Sequence, residues 1–178
     1  AASGPNVMDI DFDALIANET DSTLKDMHEY FRDRTPTEKN QYTGMFQGKN
    51  LLLFTGEAFW IGAVNEQYTP TLYKLAHSGF VFENFYNPLW YYSTVDGEYA
   101  ATTGLIPTNQ VNASQRYAGK NGVSMYFSMG NQLRALGYPT LAYHNNTANY
   151  YDRNLSHPNL GYDFYACDTG LDVAMTWP

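Results

Sequence analysis

Disulfides cannot brace this chain: Cys167 is its only cysteine in 178 residues, so neither an internal bridge nor a cysteine-built metal site can form within it. That cysteine does not fix the redox compartment. Basic charge is scarce too. Lys and Arg number 10 against 18 Asp and Glu, a formal net charge of −8, and no cluster of Lys and Arg occurs along the chain. A phosphate backbone is bound by clustered cations, so nucleic acid is not an expected partner. An acidic surface still tolerates an anionic ligand in one local pocket where a metal and an arginine reverse the sign. No apolar run is long enough to span a bilayer, and no signal peptide is visible. Residues 1–20 read as a leader or disordered segment.

What is abundant points to a folded domain. Hydrophobic residues make up 44% and charged residues 16%, a globular rather than a disordered balance, and the length suffices for one domain with a core. The 16 tyrosines suit a core with polar handles, and equally a sugar- or glycerol-like ligand.

Residues 21–48 read as an N-terminal helix and connector. Asp21 or Ser22 caps a helix toward Arg32, with Leu24, Met27, Tyr30 and Phe31 as its apolar stripe. The polar stretch from Arg34 to Gly48 connects onward, with Tyr42, Met45 and Phe46 expected to pack it down. From residue 49 the pattern changes. Leu51 to Thr55 (LLLFT) reads as a strand buried on both faces. Thr69-Pro70 starts a helix that buries Leu72, Leu75 and Ala76 and ends at Gly79. Val81 to Tyr86 (VFENFY) alternates like a strand, Ser124 to Leu136 reads as a helix with Gly137 beyond its end, and Thr140 to His144 (TLAYH) as a strand. Asn145 to Leu160 reads as loop plus short helix. Strands alternating with helices predict an α/β fold, a mostly parallel sheet sandwiched by helices. Ligands of such sheets sit beyond the carboxyl ends of the strands.

Three candidates follow those strand ends. Thr94 lies in LWYYSTVDGEYAATTGL, between a turn-like aromatic segment and a helix-compatible one, with Asp96 and Glu98 after it. Its hydroxyl is a nucleophile if its pKa is lowered, or simply a helix cap with acids in the first turn. Glu57, in TGEAFW, can bind a hard divalent cation or be a solvated loop charge. His144 can donate to a phosphate or hydroxyl, or be a histidine satisfied at a strand end. Farther on, Arg153 in NYYDRN can grip a phosphate through charge-assisted bonds of roughly 1.5–3 kcal/mol each, or form a surface ion pair with Asp152 or another acid. Tyr150 and Tyr151 can wall a small polyol or merely pack. Asn112-Ala113-Ser114 fits a glycosylation acceptor but carries no weight.

KNLLLFTGEAFW, TPTLYKLAHSGFVFENFY, STVDGEY, YHNNTANYYDRN and NLGYDFYA, in that order, resemble the extracellular domain of lipoteichoic acid synthases. These are phosphoglycerol transferases of the alkaline phosphatase and sulfatase superfamily. The resemblance runs from about Asp21 to Ala166. It implies that Glu57 is the metal-binding glutamate and that Thr94, within T-x-D-x-E-aromatic, is both nucleophile and metal ligand. It implies a glycerophosphate pocket of His144, Tyr151 and Arg153, with Tyr151 standing where the family has Trp. Sulfatases proper are less similar, because Cys167 lacks a C-x-P-S-R context.

The implied reaction takes glycerophosphate from phosphatidylglycerol onto the threonine and passes it to a growing polymer end. Manganese is the implied ion, with magnesium the alternative; oxygen-rich ligation suits both. The implied setting is the extracellular face of the bacterial cytoplasmic membrane, with the parent tethered by N-terminal helices. The family completes its metal site with an Asp-His pair and its pocket with a further histidine. Neither has a counterpart in this chain; His157 does not match. Residues 49–178 are therefore expected to be the N-terminal portion of a sulfatase-like catalytic domain, truncated on its C-terminal side. Half a coordination shell, where about six ligands are wanted, binds metal weakly, so residues 1–178 alone are expected to be catalytically silent. The alternatives are a phosphoethanolamine transferase or phosphodiesterase of the same superfamily, and a non-catalytic polyol-phosphate-binding module.

Overall fold

The computed structural model describes residues 3–56, 58–86, 93–107 and 114–173. They fall into two compact units, Ala1–Leu53 and Phe54–Pro178. The first unit is a pair of helices, α1 (Phe12–Asn18) and α2 (Ser22–Arg32). Each begins at an aspartate whose carboxylate takes orphan N–H groups of the first turn. Asp11 accepts from Ala14 N at 2.9 Å, and Asp21 from Thr23 N at 2.8 Å and Leu24 N at 3.1 Å. The Asp21 cap and the Arg32 end match the sequence expectation; α1 lies in the stretch read as leader or disordered. The stripe of α2 is present but open, since Leu24, Met27, Tyr30 and Phe31 are all exposed. Tyr42, Met45 and Phe46, expected to pack the connector down, are exposed as well.

In the second unit Pro70 sits at the first position of α3 (Pro70–Ala76), as its fixed φ favours. This helix stops at His77, before Gly79, and buries none of its residues. Two expected strands are absent among the described residues. Residues 51–56 take no regular structure, and residues 81–86 hold a turn. Leu52, Phe54, Phe82 and Phe85 stand open to solvent. Both segments carry strand-like side chains, but a strand also needs a neighbour to receive its N–H and C=O groups. Among the described residues no strand lies beside either.

Next in this unit come α4 (Ser93–Thr103), α5 (Ser114–Asn121), which the sequence did not announce, and α6 (Met129–Ala135). The α6 helix is shorter than expected because Ser128 caps it, accepting from Asn131 N. Ser128 is fully buried and donates to Leu160 O at 2.8 Å. Strand β1 (Leu141–His144) then pairs in parallel with β2 (Asp163–Ala166), Leu141 opposite Asp163 and His144 opposite Ala166. Parallel neighbours require a crossover, and α7 (Arg153–Asn159) provides it. The fold is thus α/β, with a two-stranded parallel sheet among the described residues.

Helix α7 packs on α5 and on β2, and α4 packs on α5 and α6. Among the described residues Val95, Tyr99, Ala118, Leu160 and Ala166 are buried and apolar, joined by buried polar ones: Asp96, Gln115, Ser128, Thr140, Arg153 and Ser156. Helices α5 and α7 come close at Gly119, where a Cβ would lie 2.8 Å from the Leu155 carbonyl carbon and the Ser156 nitrogen. Gly119→Ala should therefore reverse the usual helix preference. Alanine is worth up to about 1 kcal/mol in a free helix, but overpacking costs roughly 1–3 kcal/mol. Urea unfolding should show a net loss; a more stable variant would mean that α5 and α7 are not in contact there.

Candidate active site

Thr94 is the second residue of α4 and is half-buried. It is in the helix rather than before it, and Asp96 of the same turn is fully buried. Anionic groups are favoured at this end of a helix, where unpaired N–H groups and the dipole point outward. Glu98 follows Thr94 by four residues, which puts both on one face of α4.

Glu98 joins α4 to the rest of the site. Its carboxylate accepts Arg153 Nε at 3.0 and 3.3 Å and Gln115 Nε2 at 2.8 Å. Arg153, the first residue of α7, is 1% exposed. Its partner is thus neither Asp152 nor a surface acid. A buried guanidinium must have its charge met nearby, and Glu98 meets it; Arg153 Nη1 donates to Tyr150 O at 3.1 Å. Asp152 is taken up elsewhere. It accepts Arg116 Nε at 2.8 Å and lies 3.0 Å from Lys120 Nζ, both on α5. These bonds, Arg116 first, hold the Asp152 carboxyl below its usual range.

The aromatic residues gather around Arg153. Its guanidinium lies 5.7 Å from the Tyr150 ring centre and 5.4 Å from that of Tyr151, within cation–π range. The two rings touch at 4.5 Å, and His144, at the end of β1, stacks on Tyr150 at 6.1 Å. His144, Tyr151 and Arg153 thus form one cluster, which Glu98 ties to the helix of Thr94. A groove of about 350 Å³ lined by Thr103, Phe127, Gln132 and Leu136, among others, contains none of these residues.

The backbone of the cluster is unusual. Tyr151 (φ 57°, ψ 28°) and Asp152 (φ 56°, ψ 33°) are consecutive non-glycine residues in the left-handed region. Each such residue costs roughly 1–2 kcal/mol.

Glu57 lies outside the described residues. Among the described residues no group of three or more His, Cys, Asp and Glu is placed to hold a metal ion. The named donors, a carboxylate and the Thr94 hydroxyl, are hard oxygen ligands of the kind that magnesium and manganese take.

Three participants escaped the sequence. Glu98 was marked only as an acid after Thr94, although its i+4 spacing signals a shared face. Gln115 and Arg116 sit on α5, which has no apolar periodicity to announce it, and their partners are 17 and 36 residues away.

His157 packs its ring 4.7 Å from Phe164. Burial, then the charges of Arg153 and His144, lowers its pKa from 6.5 to about 3. The unfolded chain thus binds the extra proton between those values. Stability is untouched above pH 6.5 and is lost as pH falls toward 3, by at most about 1.4 kcal/mol per unit from this group. His157→Asn should remove that share, so the difference between variant and parent should change across pH 6.5 to 3; a constant difference would contradict a buried neutral imidazole. Separately, Glu98→Ala should cost about 3–5 kcal/mol, because it strands a buried arginine. A loss below about 1 kcal/mol, as for an exposed pair, would show that Arg153 is solvated.

Known proteins share this sequence pattern. A sulfatase family profile matches residues 49–177. Lipoteichoic acid synthase 2 of Bacillus subtilis (strain 168) is 26% identical over 153 residues, 80% of this chain and 22% of that protein, so the chain spans about a fifth of the relative's length. No solved structure matches. Among the described residues no helix is long and apolar enough to cross a membrane. Sulfatase-superfamily domains generally depend on a divalent metal. This chain belongs to the sulfatase family, in the alkaline phosphatase–sulfatase superfamily of hydrolases and transferases.

Proposed function

We propose that the protein carrying this chain is a metal-dependent phosphoglycerol transferase whose nucleophile is Thr94. The observation that carries the reading is the Glu98–Arg153 ion pair at 3.0 Å. It ties the face of α4 that bears Thr94 to a cluster of one cation, two phenol rings and an imidazole. Those groups suit a headgroup with an anionic end and a polyol end.

In this reading the Thr94 hydroxyl loses its proton as its oxygen attacks the phosphorus of phosphatidylglycerol. The new bond joins Thr94 Oγ1 to phosphorus; the bond from phosphorus to the diacylglycerol oxygen breaks, and diacylglycerol leaves with a proton. An acceptor hydroxyl at the end of a glycerophosphate polymer then attacks the same phosphorus and restores the threonine. Arg153 has Nε and Nη1 committed to Glu98 and Tyr150, so among the described residues Nη2 is the edge it can offer a phosphate. Tyr151 walls the glycerol, and His144 donates to a phosphate or hydroxyl oxygen. Glu57 and Thr94 would hold the divalent ion, manganese or else magnesium, which when bound supplies Lewis acidity and lowers the pKa of a ligand hydroxyl. Work on a membrane lipid and a wall polymer calls for a site on the outer face of the bacterial cytoplasmic membrane, in a tethered parent.

Mass spectrometry after acid quench tests the reading. The metal-loaded intact gene product, incubated with phosphatidylglycerol, should carry glycerophosphate on Thr94. Thr94→Ala should abolish the adduct and lower turnover by roughly 10³-fold or more, as loss of a nucleophile does. Phosphoethanolamine on Thr94 when phosphatidylethanolamine is supplied instead, with none from phosphatidylglycerol, would transfer the reading to the phosphoethanolamine branch. Turnover with no adduct at Thr94 would overturn it.

A further inference from the structure

Tyr151 and Asp152 hold two successive left-handed conformations without being glycine. Such a pair persists only where its surroundings over-determine it. On the backbone, Asp152 N donates to Asn149 O at 2.9 Å and Asn154 N to Ala148 O at 2.8 Å. These close the turn from within.

A second restraint comes from another helix. Arg116 donates through both Nε and Nη2 to one oxygen of Asp152, and Lys120 reaches the same oxygen. Arg116 and Lys120 are four residues apart, hence stacked on one edge of α5. The neighbouring edge of that helix carries Gln115, which donates to Glu98, and Gly119, which lets α7 come close. The clamp therefore hangs from a helix that is itself fixed to both ends of the site.

The consequence falls on Tyr151. Two guanidinium groups lie within cation–π range of its ring, Arg116 at 5.9 Å and Arg153 at 5.4 Å. Released to right-handed or extended backbone, residues 151–152 would swing that ring away from both cations and shift the chain that delivers Arg153. The ion pair that Lys120 makes is with Asp152, not with a candidate pocket residue.

We propose that Arg116, Asp152 and Lys120 form a positioning clamp that fixes the left-handed Tyr151–Asp152 step and so presents Tyr151 and Arg153 to a glycerol phosphate headgroup. The assignment rests on the transferase reading for its ligand class. Asp152 is a positioning residue, acting through its neighbours.

The test uses the intact gene product, with sn-glycerol 1-phosphate as the calorimetric probe and thermal melting alongside. Asp152→Gly removes the clamp yet accepts left-handed backbone without steric cost, so it folds where Asp152→Ala fails. Its Kd for the probe should rise about tenfold, and its KM for phosphatidylglycerol should rise by more than its kcat falls, the mark of lost ground-state binding. Asp152→Asn tolerates the same backbone and still accepts from Arg116, so it should restore most of the affinity. Arg116→Ala should reproduce the Asp152→Gly defect, and the double variant should bind no worse than either single one. Unchanged Kd in Asp152→Gly, or a loss confined to melting temperature, would reduce the clamp to a structural ion pair and overturn the proposal. If the parent forms no adduct on Thr94 while Asp152→Gly still weakens the probe about tenfold, the clamp stands and the transferase reading falls. If the adduct forms on Thr94 and Kd is unchanged, the transferase reading stands and the clamp falls.

Discussion

One ion pair, between buried Arg153 and half-buried Glu98, ties the elements of this site together. Removing two charges from water is costly, and their attraction offsets that cost only when geometry is good and the remaining hydrogen-bonding capacity is used. Here Gln115 takes up the second oxygen of Glu98, and the Tyr150 carbonyl accepts from Arg153. The network fixes α4, α5 and α7 in one arrangement. Among the described residues, Val95, Tyr99, Ala118, Leu160 and Ala166 are buried beside it. Polar bonds that demand particular geometry thus add to the apolar contacts between these helices.

The same economy governs the few cations of a chain of net charge −8. Its cations near the site are not spread over the surface. Arg153 faces Glu98, and Arg116 and Lys120 share Asp152. Each carboxylate orients a cation, and two of the cations, Arg116 and Arg153, lie within cation–π range of the Tyr151 ring. Charge is used here for placement at short range, where salt screens it least.

What could be read in advance follows from where the information lies. The start of α2 was legible because Asp21 caps it, and that of α3 because proline favours the first helical position. Strand β1 and the helix after it were legible from TLAYH and the polar aromatic run behind it. LLLFT and VFENFY misled, since their composition suits a strand but pairing belongs to the neighbour, and none lies beside them among the described residues. Helix α5, SQRYAGKN, has no apolar stripe and gave no signal. At the site, family resemblance named Thr94, His144, Tyr151 and Arg153, yet the partner of Arg153 lies 55 residues away and no local pattern encodes it. The left-handed step at Tyr151–Asp152 was hidden for a related reason: aspartate tolerates that backbone but tyrosine does not favour it, and the side-chain restraint comes from α5.

One geometric demand stands above the others: the hydroxyl of α4 and the cluster around Arg153 must serve a single ligand. A crystal structure of the metal-loaded intact protein with sn-glycerol 1-phosphate measures this directly. It should show the phosphorus within reach of Thr94 Oγ1, the glycerol against Tyr151, and the Glu98–Arg153 pair intact. A ligand bound away from Thr94, or a Thr94 side chain turned from the phosphate while Arg153 holds it, would contradict a shared site.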